Sequence, residues 1–154
     1  MKIRLLVVGK PRDRELALLH DRYAERIVRL GAEYDTAWVP ETQQGGRYSD
    51  AHVKEREARA LLDQLDPRGT VVALDPGGRM IDSVQLAGRL EGWAHPRLQL
   101  VIGGPLGLHR DVLERAAWCW SMSALTFPHE LVRVLVAEQI YRALSILRNL
   151  PYHK

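Results

Sequence analysis

The stretch VIGGPLGLHRDV (residues 101–112) contains the pattern that decides the fold: an apolar run, a glycine-rich turn and the start of a helix. The run LQLVI (98–102) is typical of a strand buried on both faces. The apolar spacing in residues 109–118 predicts a helix. Because the same strand-then-helix order recurs along the chain, we predict an α/β fold, with a mostly parallel sheet flanked by helices.

The other segments extend this alternation. Further strands are predicted at residues 2–8, 34–40 and 69–75. Further helices are predicted over residues 12–30, 51–65, 84–93 and 128–150. Two of these helices have two candidate N-cap residues each. They are Ser49 or Asp50 for the helix over 51–65, and Asp82 or Ser83 for the helix over 84–93. We interpret residues 41–50 as a polar loop, PGGR (76–79) as a turn, and SALTF (123–127) as either a fifth short strand or an ordered loop.

Composition narrows the class of protein. A chain of 154 residues with 46% hydrophobic residues predicts one domain, over residues 1–154. No apolar run is long enough to span a membrane, and the start of the chain has the pattern of a first strand and not of a signal peptide. The single cysteine, Cys119, excludes an internal disulfide and a cysteine-rich metal site, so we expect no metal and a cytoplasmic location.

Charge is distributed unevenly. Residues 1–30 carry eight basic and four acidic side chains, and residues 128–154 carry four basic and two acidic ones, whereas the middle is slightly acidic. If the two ends meet in the fold, or across a dimer, they form a basic face of the kind that binds nucleic acid. On composition alone, a globular domain with uneven charge explains the pattern as well.

The glycine turn at 103–107 lacks the signature of a phosphate-binding loop. GGPLGLHR contains no Gly-Lys-Ser/Thr sequence, and G-G-P-x-G is a poor match to the dinucleotide-binding fingerprint. Glycines still allow close approach of a ligand to the backbone. A tight connection between strand and helix, with no ligand, explains the same residues. Ligands bind at the carboxyl ends of strands in such sheets, so the turns after Asp75, at 103–107 and around 121–128 form the candidate site.

The segment SMSALTFPHELVRVLVAEQIYRA (121–143) concentrates chemistry near the end of the chain. It places three hydroxyl groups in a short stretch, followed by His129 and Arg133 on one helical face. Glu138 and Arg142 are also four residues apart and can form an ion pair. A surface histidine and a snorkelling or paired arginine explain these residues without a site. Tyr152 in the tail is suited to stacking on a base.

The blocks IGGPLGL, SALTFPHELVRVLVAEQIYRA and PYHK together resemble the small ribosomal RNA methyltransferases of the SPOUT superfamily. In particular, they resemble the family that methylates N3 of a pseudouridine in helix 69 of 23S rRNA. The opening VVGK, the strand end ALD and the chain length agree with this resemblance, which covers essentially the whole chain. The chain departs from the family at Leu106, where many relatives have an acidic or polar residue, and in the variable turn DPGGR.

The resemblance implies a fold with a C-terminal trefoil knot, a homodimer, and S-adenosylmethionine (SAM) as methyl donor. It implies that SAM is held by a strand-end leucine, the first glycine of the GG pair and the six residues before Pro128. In this sequence the implied cofactor-binding residues are Leu74, Gly103, Met122, Ser123, Ala124, Leu125, Thr126 and Phe127.

The resemblance also directs attention to five residues as catalytic candidates: His129, Arg133, Arg142, Tyr152 and His153. His129 is the first candidate for proton transfer, because imidazole titrates near neutral pH. The two arginines can hold a phosphate or a developing negative oxygen, and Tyr152 with His153, from the same or the partner subunit, can clamp the base. Basic residues near both ends can contact the 23S rRNA backbone; they include Arg4, Lys10, Arg12, Arg22 and Arg26.

Three alternatives remain open from the sequence. A SPOUT methyltransferase acting on another rRNA or tRNA uridine shares the same motifs. A ribosome-associated RNA-binding protein without catalysis shares the basic ends. A nucleotide hydrolase is disfavoured, because the phosphate-binding lysine and acidic metal ligands are missing.

Overall fold

The computed structural model describes residues 1–43 and 47–153. Parts of the predicted 41–50 loop and the last residue of the PYHK tail lie outside the described residues. The strands are β1 (Lys2–Val8), β2 (Glu33–Val39), β3 (Thr70–Arg79), β4 (Leu98–Ile102) and β5 (Trp118–Trp120). The helices are α1 (Arg14–Arg29), α2 (Asp50–Gln64), α3 (Ser83–Trp93), α4 (Arg110–Arg115) and α5 (His129–Leu147).

The strands form one sheet in the order β2-β1-β4-β3-β5, and every pairing is parallel. The predicted α/β class is therefore confirmed, whereas the trefoil knot stays a prediction. Helices α1, α3 and α5 pack together in one layer, and α2 contacts α4 in the other. Both sheet faces are thus covered, which explains why all five residues of β4 are buried. In a parallel sheet the carboxyl ends of the strands share one edge, where ligands bind.

The helix ends follow the sequence signals. Asp13 Oδ1 accepts a hydrogen bond from the Leu16 backbone nitrogen at 3.0 Å, and Ser49 Oγ accepts one from His52 at 3.2 Å. Asp82 and Gln85 form a reciprocal capping box at the start of α3. Ser49 and Asp82 are therefore the caps, which settles both open choices. Within the described part of the chain, no helix combines the length and apolarity needed to cross a membrane.

The last strand differs from the sequence prediction. The helix predicted over residues 109–118 ends at Arg115, and the following WCW forms β5, which pairs with β3. Residues 123–127 form a loop, so the strand alternative there was wrong and the loop alternative is confirmed. Ser121 Oγ donates to the Ser123 carbonyl at 3.0 Å, and Ser123 Oγ accepts from the Leu125 nitrogen at 3.0 Å. These local bonds satisfy backbone groups that a strand would have paired with a neighbour.

The turn predicted at PGGR was also wrong. β3 continues through these residues to Arg79, with a register shift between Leu74 and Arg79 where both face Trp120 of β5. A Cβ atom on Gly78 would lie 2.6 Å from the Cys119 carbonyl carbon. Glycine is therefore required here because the β5 backbone passes closely, and an irregularity in the strand takes the place of a turn.

Candidate active site

A cavity of about 500 Å³ opens at the carboxyl ends of β4 and β5, beside the irregular part of β3 that follows Leu74. Its walls come from the three segments that the sequence analysis selected: residues 74–76 of β3, the glycine turn after β4, and the loop that leads into α5. Apolar side chains such as Ile102, Trp120 and Val132 form much of the surface. We call this the first cavity.

Seven of the eight predicted cofactor residues line the first cavity. They are Leu74, Gly103, Met122, Ser123, Leu125, Thr126 and Phe127. The eighth, Ala124, is exposed and is not part of the lining. Leu125 is 70% exposed at the cavity although it is a large apolar residue. The structure therefore brings seven of the eight residues to one cavity, and their role in binding a cofactor stays a prediction.

Close contacts within the glycine turn fix its backbone conformation. The Gly107 backbone nitrogen donates to the Gly104 carbonyl at 2.9 Å. A Cβ atom on Gly103 would lie 2.9 Å from the Gly107 carbonyl carbon, whereas one on Gly104 would lie 2.9 Å from the end of a side chain, Glu57 Oε2. The backbone of the turn thus requires glycine at position 103, independently of any ligand. Leu106, the position that departs from the family pattern, is half-buried and lies outside the cavity lining.

Glu57 on α2 supports this turn, and the sequence analysis missed it. Glu57 is 4% exposed, and its Oε1 accepts a hydrogen bond from the Thr42 nitrogen at 3.0 Å. Burial raises the pKa of this carboxyl above its usual value. The available signal was spacing: Glu57 falls midway between the buried Val53 and Leu61, on the apolar face of α2.

The first turn of α5 borders the first cavity and is fixed to the loop after β1. His129 lines the cavity. Glu130 Oε1 accepts hydrogen bonds from the backbone nitrogens of Arg12 at 2.6 Å and Asp13 at 3.1 Å. Those bonds lower the pKa of the Glu130 carboxyl. The position of His129 is therefore set by contacts of its neighbour.

Arg133 points away from the first cavity. It is 4% exposed, and its Nη2 donates to the carbonyl oxygens of Val8, at 3.2 Å, and Gly9. Burial lowers the pKa of the guanidinium. Arg133 lines a second, smaller cavity instead. In this protomer it thus anchors α5 to β1, and it does not reach the pocket that contains His129.

The other three catalytic candidates lie toward the opposite end of α5. Arg142 Nη2 donates to Glu138 Oε1 at 2.6 Å, and the Tyr152 hydroxyl donates to the same oxygen at 3.1 Å. The bond to Glu138 raises the pKa of Arg142, whose guanidinium also lies 4.7 Å from the Tyr152 ring centre. Along a helix, His129 and Arg142 are separated by about 20 Å. One protomer therefore does not bring Arg142, Tyr152 and the exposed His153 into the first cavity.

The predicted basic face has a mixed outcome. Because α1 packs against α5, the two basic ends of the chain meet. Arg4 Nε donates to Asp35 at 2.6 Å, and Arg12 Nη2 donates to Glu41 at 3.3 Å. Arg26 lies over the rings of Tyr23 and Tyr141. Lys10 and Arg22 are exposed. Three of the five predicted RNA-contacting residues are thus already engaged within the protein. Across the described ranges, no three His, Cys, Asp or Glu side chains cluster as a metal site would require.

Comparisons with known proteins agree with this geometry. A family model described as "Predicted SPOUT methyltransferase" matches residues 1–153. Proteins called ribosomal RNA large subunit methyltransferase H match at 41% identity in Thioalkalivibrio sulfidiphilus and 42% in Alkalilimnicola ehrlichii, over 100% of this chain and 99% of each relative. The corresponding protein of Coxiella burnetii is 38% identical over the full length of both chains.

Solved structures show the same fold at low identity. A probable methylase family protein from Haemophilus influenzae aligns with a TM-score of 0.59 at 13% identity, covering 99% of this chain and 70% of that one. A probable methyltransferase from Bordetella pertussis aligns with a TM-score of 0.52 at 18% identity, covering 93% and 94%. The fold, the strand-end cavity and the family match define a SPOUT methyltransferase. Within that superfamily, the chain belongs to the ribosomal RNA large subunit methyltransferase H family.

Proposed function

We propose that this protein is a single SPOUT domain, over residues 1–154, that transfers the methyl group of SAM to N3 of a pseudouridine in 23S rRNA. The main support for this proposal is the full-length match, at 41 and 42% identity, to relatives named for methylation of large-subunit ribosomal RNA. We infer that it acts in the cytoplasm on assembled ribosomes.

The first cavity supports the choice of SAM. Its volume of about 500 Å³ and its apolar walls suit a flat adenine and the alkyl groups around the sulfonium. Gly103, Gly104 and the loop at 121–128 leave backbone groups at the wall, which suits recognition of adenine by backbone hydrogen bonds. When bound, SAM supplies an electrophilic methyl group. The residues around it orient the acceptor nitrogen in line with that methyl group.

His129 is our candidate for the proton transfer. In neutral pseudouridine, N3 carries a proton that must leave as the new nitrogen–carbon bond forms. The imidazole of His129 lies at the cavity wall, and an unprotonated imidazole nitrogen can accept this proton. The Glu130 bonds to Arg12 and Asp13 fix the turn that carries His129, so the base is held in one place.

The separation along α5 supports a homodimer. In one protomer Arg142 lies about 20 Å from His129 along α5, and Tyr152 bonds Glu138 on the same helix. None of Arg142, Tyr152 and His153 lines the first cavity. If these residues act at the reacting base, they do so at the first cavity of a partner subunit. The 70% exposed Leu125 at the mouth of the first cavity offers an apolar contact for such a partner.

Mapping the modifications of 23S rRNA tests the substrate. In cells that lack this protein, one pseudouridine loses its N3 methyl group, and the gene restores it. The His129→Ala variant does not restore it, which separates catalysis from mere binding to the ribosome. An unchanged rRNA map, with a methyl group missing from a tRNA, would support the alternative SPOUT enzyme. No SAM binding in calorimetry would support the non-catalytic RNA-binding protein.

A further inference from the structure

A second cavity, of about 240 Å³, lies at the same sheet edge, beside the carboxyl ends of β1 and β2. Seven polar, charged or aromatic residues line its wall: Lys10, His20, Asp21, Thr36, Trp38, Glu130 and Arg133. The first turn of α5 separates the two cavities, since His129 lines the first and its neighbour Glu130 lines the second. The second cavity is therefore adjacent to the proposed site of methyl transfer.

The second cavity contains a buried cation whose donors are only partly used. Arg133 is 4% exposed, and its Nη2 bonds two carbonyl oxygens. Its Nε and Nη1 are buried without a hydrogen-bond partner. Two carboxylates line the same wall, but both have other contacts: Glu130 accepts the backbone nitrogens of Arg12 and Asp13, and Asp21 lies 3.3 Å from His20 Nδ1. The unused donors of Arg133 therefore favour an incoming acceptor oxygen.

The second cavity offers an aromatic face together with hydrogen-bond donors and acceptors. Trp38 is 48% exposed, although it is one of the largest apolar side chains in the protein. Within the wall, His20 Nε2 lies 3.1 Å from the Tyr34 hydroxyl, so hydrogen bonding fixes the imidazole. Lys10 is exposed at this cavity. A planar ring with carbonyl and amine groups, followed by a phosphate, matches this combination.

We propose that the second cavity receives an unpaired nucleobase of the RNA substrate, a close neighbour of the base that is methylated in the first cavity. The base stacks on Trp38, its carbonyl oxygen accepts from the unused donors of Arg133, and its phosphate contacts Lys10. The volume is about half that of the first cavity, which suits one base and not a second SAM molecule. This inference rests on the proposed function, because it assumes an RNA substrate.

Replacing Trp38 tests the stacking. Methylation of ribosomes is measured for the wild type, Trp38→Ala, Trp38→Phe and, as a control, Val84→Ala, an exposed apolar residue of α3 that lines neither cavity. Loss of one base–aromatic stack raises the KM for ribosomes by about 5- to 150-fold in Trp38→Ala. Phenylalanine recovers most of this loss, and Val84→Ala changes nothing. The affinity for SAM and kcat stay at wild-type values in all three variants.

An abasic scan identifies the stacked base. Ribosomes are assembled on 23S rRNA that carries one abasic nucleotide at each unpaired position near the methylated base. One abasic position raises the KM of the wild type by the same factor as Trp38→Ala, and the two changes together add nothing further. Additive effects at every position would overturn the proposal.

The remaining outcomes also decide the proposal. An unchanged KM in Trp38→Ala overturns it. So does a Trp38→Ala variant whose dimer dissociates in sedimentation, because a second copy of the chain would then cover this surface. Failure of the proposed function is distinguishable, because in that case the wild type itself transfers no methyl group to ribosomes.

Discussion

Glu130 Oε1 lies 2.6 Å from the backbone nitrogen of Arg12, a residue 118 positions earlier in the chain. The same oxygen accepts the Asp13 nitrogen at 3.1 Å, directly before α1. This one carboxylate therefore joins the first turn of α5 to the loop after β1, between the two cavities. Its position explains how residues from opposite ends of the sequence form one sheet-edge site.

Replacing Glu130 with glutamine is expected to lower the free energy of unfolding by about 1 kcal/mol at pH 7, after allowance for solvent screening. Glutamine keeps an acceptor oxygen but loses the charge that strengthens both bonds. The bonds from Arg12 and Asp13 lower the pKa of Glu130 in the folded protein. The stabilisation by Glu130 is thus fully present above its unfolded-state pKa near 4.5. It is lost as the pH falls through the lower pKa of the folded state. Chemical denaturation at several pH values measures this.

The matched control for that variant is Glu55→Gln, which removes an exposed ion pair with Arg59 at 3.6 Å on α2. We expect a change within about 0.5 kcal/mol. Equal effects of the two substitutions at pH 7 would show that the Glu130 bonds do not hold α5 in place.

Replacing Gly103 with alanine is expected to destabilise the protein by about 1–3 kcal/mol and to weaken SAM binding. The new methyl group would lie 2.9 Å from the Gly107 carbonyl carbon and 3.0 Å from the Leu108 nitrogen, so the backbone of the turn must move. Thermal unfolding and calorimetry measure the two effects.

Gly88→Ala is the control for Gly103→Ala. Gly88 lies in α3, and a Cβ atom there meets nothing within 4 Å. Alanine in a helix interior is expected to stabilise by about 0.5–1 kcal/mol, with unchanged SAM affinity. Gly103→Ala with wild-type stability and SAM binding is the result that the packing explanation does not allow.

Replacing His129 with alanine is expected to lower kcat by about 10²- to 10⁴-fold, because the proton on N3 loses its acceptor. Single-turnover methylation measures this effect. A variant with wild-type turnover would remove His129 from the mechanism.

Mixing two inactive variants tests whether the two ends of α5 act across a dimer. His129→Ala and Tyr152→Ala homodimers each lack one component of every site. Random mixing makes half of all dimers heterodimers, and each symmetric heterodimer has one intact site out of two. The mixture therefore recovers about a quarter of wild-type activity. Mass spectrometry confirms that heterodimers have formed. If they form without recovered activity, Tyr152 does not act at the partner's cavity.

The sequence predicted the parts of the fold that carry periodic or capping signals. The apolar runs gave β1 and β4 with their observed bounds, and Ser49 and Asp82 are the caps. It missed β5, because three residues beside a short helix contain too little pattern to separate strand from helix. It also misread PGGR as a turn, because close passage of another strand next to Gly78 is a tertiary feature.

For the site, the sequence predicted which segments meet, but it did not predict the long-range contacts of single side chains. The segments after Leu74, at 103–107 and at 121–128 line the first cavity, although the first of them is an irregular part of β3 and not a turn. The direction of Arg133 could not be predicted from its spacing to His129, because its hydrogen-bond partners lie 124 and 125 positions away. The second cavity requires Trp38 and Arg133 to meet, which only the folded chain shows.

The most direct test of the central claim is transfer of a labelled methyl group from SAM by the purified protein, with the product located by mass spectrometry of the RNA. Intact ribosomes, free 23S rRNA and tRNA are compared as substrates. We predict one labelled methyl group at N3 of a single pseudouridine in the 23S rRNA of ribosomes, and none in tRNA. Label in tRNA alone, or no label in any RNA while SAM still binds, would contradict the account.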